Sequence, residues 1–137
     1  MDWNDIESPT LAAFEDLARR AFEALPQEFR SLTGGIVFRI EDFPDEEVMR
    51  DMKLESEFDI LGLFHGPRLA DEIAGRIHGH QTMIFLYRRP ILDYWAEHSD
   101  TLGDIVRHVL IHEIGHHFGL SDDDMHGIED APVSVAF

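Results

Sequence analysis

A chain of 137 residues with 44% hydrophobic content has room for one modest core and lies far from the composition of disordered proteins. Its 28 acidic against 11 basic residues give a formal net charge of −17, which argues against a nucleic-acid partner; basic pairs such as Arg88-Arg89 make no stripe. The absence of cysteine excludes a disulfide framework and any thiolate ligand or nucleophile.

No run approaches the roughly 18 apolar residues of a membrane-spanning helix. The acidic start Met1-Asp2-Trp3-Asn4-Asp5 lacks the basic and apolar regions of a secretory leader. A cytoplasmic address, no membrane partner and a single domain over residues 1–137 are therefore expected.

The first predicted element is a helix capped by Ser8, with Pro9 in its first turn. Leu11, Phe14, Leu17, Ala18, Ala21 and Leu25 recur along it at helical spacing until Pro26. Gly34-Gly35 leads into Ile36–Ile40, a short β-branched strand. A short helix is predicted from Asp45 to about Met52, and a second strand over Phe58–Phe64. The polar stretch His65–Gln81 reads as a long loop, a place where function often sits.

Thr82–Arg88 reads as a third strand, broken by Pro90 before a short helix near Ile91–Glu97. An edge position there would let it pair with an extended peptide. The strongest element is a helix from about Thr101 to Phe118, with Thr101 and Asp104 resembling a capping box. Leu102, Ile105, Val106, Val109, Leu110 and Ile114 form its apolar face.

The chemistry falls at the end of that helix, in His112-Glu113-Ile114-Gly115-His116-His117-Phe118-Gly119-Leu120-Ser121-Asp122. Residues four apart on a helix differ by about 40° in azimuth and one turn in height, so the imidazoles of His112 and His116 can reach one ion. Glu113 lies about 100° from His112, able to reach the rim of such a site as a general base without ligating. Gly119 can end the helix with positive φ, after which a returning chain brings Asp122 back as a third ligand. His126 is the reserve ligand. Asp122 also suits the first turn of a terminal helix opening at Ser121.

His112–Asp122 resembles the extended HExxHxxGxxD motif of metzincin-like zinc peptidases. The segment HEIGHHFGLSDDDM, with IFLYRRPIL before it, is most similar to the minimal bacterial zincin-like metallopeptidases. The resemblance implies an α+β fold, a small mixed sheet of three to four strands packed on an active-site helix and an N-terminal helix. It also implies one catalytic zinc ion held by His112, His116 and Asp122, Glu113 as general base, and a peptide or protein substrate. Met125 follows Asp122 too closely for the methionine turn of larger metzincins.

Three functions compete. The first is a zinc peptidase. The second is a structural zinc module without turnover. The third is a metal-dependent RNA hydrolase, disfavoured by Glu113 and by the acidity of the chain. Among the other histidines, His108 is expected to be a packed neighbour one turn before His112, and His117 a surface or supporting group. His65, His78 and His80 are expected to flank the polar loop.

Overall fold

The computed structural model describes residues 2–31, 33, 35–66 and 82–130. Thr10 starts the first long helix, α1 (Leu11–Glu23): its hydroxyl accepts from the Ala13 backbone N–H at 3.1 Å. The cap therefore lies two residues beyond the expected Ser8. Ser8 and Pro9 are used elsewhere, accepting from the Arg88 guanidinium through the Ser8 hydroxyl at 3.2 Å and the Pro9 carbonyl at 2.6 Å. Phe14, Ala18, Ala21 and Leu25 are buried as their spacing predicts, while Leu11 is 43% exposed in the first turn of the helix.

After the short α2 (Gln27–Arg30) comes β1 (Ile36–Glu41), then α3 (Glu46–Asp51), whose cap Asp45 accepts from the Val48 N–H. β2 is Gly62–His65, much shorter and later than the expected Phe58–Phe64. The reason is local. The Asp59 carboxylate accepts from the Glu55 and Ser56 N–H groups at 2.9 and 3.0 Å, and this turn competes with strand pairing.

β3 (Thr82–Tyr87) runs directly into α4 (Arg88–Glu97). The strand gives way to a helix as expected, but the helix starts three residues earlier, with Pro90 in the first turn of α4, where its missing N–H removes no helical hydrogen bond. The described strands form one sheet in the order β1-β3-β2, with β1 parallel and β2 antiparallel to β3. β3 is thus the centre of the sheet rather than an edge. β2 occupies an edge instead.

Thr101 caps α5 (Leu102–His117) by accepting from the Asp104 N–H at 3.1 Å. Ile105, Val106, Val109, Leu110, Ile111 and Ile114 of α5 are buried together with Phe14 and Ala18 of α1 and Ile84 and Leu86 of β3. Each such side chain contributes about 1.5–3 kcal/mol of transfer free energy, so this helix is the most firmly held element.

Gly62 sets the distance between α5 and the sheet. A Cβ there would meet Val109 Cγ1 at 2.8 Å and the Phe85 carbonyl oxygen at 2.9 Å. The carbonyl belongs to a strand paired on both sides and cannot give way as a flexible side chain can.

α5 ends at a glycine, as expected. Gly119 has φ +73°, its N–H donates to the His116 carbonyl at 3.2 Å, and the Leu120 N–H donates to the Gly115 carbonyl at 2.9 Å. These two bonds define a Schellman turn. The chain reverses into α6 (Asp122–Glu129), opened by a capping box between Ser121 and Asp124. Met125 of α6 is fully buried against Gly115, the point where the two helices meet. No helix among the described residues is long and apolar enough to cross a membrane.

Gly62→Ala is expected to destabilise the fold by about 1–3 kcal/mol through overpacking between α5 and the sheet. Gly127→Ala, at a helical position with nothing within 4 Å of its added carbon, is expected to stabilise by up to about 1 kcal/mol. Urea unfolding of the two variants beside the parent checks both signs.

Candidate metal centre

α5 presents a ladder of three imidazoles one turn apart, His108, His112 and His116. The His108 and His112 ring centroids are 4.0 Å apart, those of His112 and His116 5.8 Å. The returning helix α6 brings Glu129 onto this ladder. Its Oε1 lies 2.7 Å from His108 Nδ1 and 3.0 Å from His112 Nε2. An ionised carboxylate can only accept, so each imidazole donates its N–H to that oxygen.

Among the described residues, His108, His112 and Glu129 form the group of histidine and acidic side chains whose ligand atoms all lie within 4.8 Å of one another. Glu129 is fixed from its backbone as well. The Arg107 guanidinium donates to the Glu129 carbonyl and, at 2.8 Å, to the Ile128 carbonyl, so it caps the end of α6 and ties it to α5.

Of the residues expected to form the site, His112 lies in this group. His116 is exposed one turn further along α5. Asp122 opens α6 as an exposed first-turn acid, with Asp123 and Asp124 beside it, a favourable position against the helix dipole. It does not join the imidazole group. His126 is exposed in the last turn of α6. His117 stacks on the Phe64 ring with centroids 3.9 Å apart, which packs the end of α5 against β2. His65 ends β2 and is exposed; His78 and His80 lie outside the described residues.

Glu113 faces the sheet side of the ladder. Burial, partly opposed by a hydrogen bond from the Phe64 backbone N–H and by the charge of His116, raises its carboxyl above the usual range. Phe64 can donate because of the strand register. The Tyr87 N–H donates to the Leu61 carbonyl, and two-residue alternation from that pair turns the backbone groups of Gly62 and Phe64 away from β3. The strand edge and the glutamate therefore meet.

Burial, with the neighbouring charge of His108 adding to it and Glu129 opposing, lowers the pKa of His112. The neutral imidazole this favours is the form that binds metals.

Sequence reasoning passed over Glu129, while His108 is the packed, hydrogen-bonded neighbour of His112 that was expected. A signal was present once α6 is read as a helix: Met125 must face inward, and Glu129 follows four residues later on the same face. A cleft of about 450 Å³, lined by Leu61, Tyr94, Asp104 and Arg107 among others, adjoins His108 and Glu129. The donor set of imidazole nitrogens and carboxylate oxygens fits zinc.

The model of the zincin-like metallopeptidases matches residues 33–131, and the chain belongs to that family. This is a family of zinc-dependent metallopeptidases, and the mixed sheet of three strands with six α-helices found among the described residues agrees with its fold. No curated protein matches the chain significantly.

Tyr87 backs the site from the end of β3. It is buried, and burial first, then the carboxylates of Glu41, Asp45 and Glu113, push its phenol up to about 12. The folded chain thus disfavours the phenolate. This contribution to stability is complete below the ordinary value of 10 and is lost as the pH rises toward about 12. Tyr87→Phe is expected to flatten the alkaline loss of stability in that interval, followed by chemical unfolding and tyrosinate absorbance. An unaltered alkaline profile would remove Tyr87 as its source.

Proposed function

We propose that the chain is a zinc-dependent peptidase in which His112 and His116 hold the ion and Glu113 is the general base. A carboxylate from the returning chain completes the protein ligands, and the motif spacing names Asp122 for that role. The observation that carries the reading is the position of Glu113. It follows the first imidazole of the motif, is largely buried, and accepts from the backbone of an edge strand. A carboxylate held in this way has its orientation fixed and its basicity raised, both of which general-base work requires.

Bound zinc supplies Lewis acidity to water and to a substrate carbonyl. Glu113 takes the proton released as water attacks the scissile carbonyl, then returns it to the departing amine. Its raised pKa brings it nearer neutrality than an exposed glutamate, so both transfers are feasible in one cycle. β2 orients the substrate: an extended peptide lying along this edge would take hydrogen bonds from its outward backbone groups other than the Phe64 N–H, which Glu113 holds, with little dependence on side chains. A peptide or protein substrate is also favoured over nucleic acid by the net charge of −17.

Glu113→Gln at matched zinc content is the test. Peptide turnover is expected to fall by about 10²- to 10⁴-fold while zinc stoichiometry is retained. Turnover equal to the parent's would take Glu113 out of the mechanism and favour a zinc module of structural purpose.

A further inference from the structure

We infer that the cleft beside α5 takes a lysine or arginine side chain of the peptide substrate, about two to three residues from the bond that is cut. The inference rests on the peptidase reading above and names a substrate class for it. Position puts a ligand in the cleft, and charge then selects which one.

Position comes from the register between α5 and β2. Val109 lies against Gly62, and four residues further on Glu113 accepts from the Phe64 N–H. Four helical residues rise about 6 Å and two strand residues about 6.6 Å, so helix and strand run side by side in one direction. The cleft lies one step earlier on both. It is lined by Leu61, the residue before β2, and by Ile105 and His108, one turn of α5 before Val109 and His112. An extended peptide that lies along β2 and is cut beside Glu113 therefore runs on toward the cleft. Leu61 and Phe64 are three residues apart, about 10 Å along a strand, which sets the spacing from the scissile bond.

Shape suits a long side chain. The cleft holds about 450 Å³, within the roughly 300–1,000 Å³ of small-ligand sites. Leu61 and Ile105 offer apolar surface on which an aliphatic stem can pack. The Tyr94 ring forms a further wall, kept in place by stacking on His98 with centroids 3.8 Å apart. Such a ring attracts a cation through its π face.

Charge selects the occupant. Asp100, Asp104, Glu129 and Asp130 line the cleft against the guanidinium of Arg107. Arg107 is occupied with the Ile128 and Glu129 carbonyls, and the Glu129 carboxylate with His108 and His112. Among the described residues, no ion pair or side-chain hydrogen bond engages Asp100, Asp104 or Asp130. A cationic head entering between them gains attraction that a neutral or acidic one does not.

The test uses short neutral peptides in which one lysine or arginine is moved position by position, with norleucine and glutamate series beside them. Binding is followed by fluorescence anisotropy on zinc-loaded Glu113→Gln, in which cleavage is suppressed. At one position lysine and arginine are expected to bind about tenfold more tightly than norleucine, and glutamate more weakly. Adding Asp104→Asn with Asp130→Asn is expected to remove this preference. Glu46→Gln with Glu47→Gln, acids of α3 that do not line the cleft, is expected to keep it. Circular dichroism establishes that each variant is folded. Equal loss in both pairs would assign the preference to the net charge of −17 alone and overturn the inference. A preference independent of position, or one retained in the folded cleft variant, would overturn it as well. A parent protein that shows the preference in binding yet cleaves none of the peptides would instead remove the peptidase reading and leave the cleft assigned.

Discussion

The contact between α5 and α6 governs which side chains can meet at the centre. Gly119 reverses the chain with a positive φ, Met125 seats the second helix against Gly115, and Arg107 fastens its far end by the Ile128 and Glu129 carbonyls. A turn, a packed methionine and a guanidinium clamp leave α6 little freedom to slide or rotate. The imidazoles of α5 therefore face one particular carboxylate rather than any acid of a strongly acidic tail. A reversal one residue longer would rotate α6 by about 100° and turn Glu129 away.

The opposite side of α5 is fixed by a different constraint. Gly62 lets the helix approach the sheet closely enough for Val109 to lie against the strand backbone, and the same strand offers the Phe64 N–H to Glu113. Helix burial and glutamate orientation thus share one cause. His117, stacked on Phe64, closes the contact at the end of the helix. The general-base candidate is held by the sheet and the metal candidates by α6, so the two halves of the site are positioned independently on one rigid helix.

Membership in the zincin-like metallopeptidase family follows from a match over residues 33–131. What the structure adds to the family motif is the identity of the groups that surround it. His108 and Glu129 lie outside the motif's own ligand spacing but touch its first histidine. They also border a cleft that includes Tyr94 and Asp104.

The sequence by itself determined the elements whose signals are local. The periodicity of α1 and α5, the Thr101 cap, the β-branched runs of β1 and β3, and the helix-ending glycine all depend on residues within a few positions of one another. It likewise placed Glu113 one residue after His112 on a helix. Only tertiary structure decided that β3 is central and β2 an edge, because strand order depends on pairing between distant segments. The truncation of β2 by the Asp59 turn and the use of Ser8 by Arg88 were side-chain competitions that propensity does not resolve. The same holds for the acid beside His112. Motif spacing counts residues along the chain, whereas the reversal at Gly119 and the Arg107 clamp decide which acid lies within hydrogen-bond reach of His112.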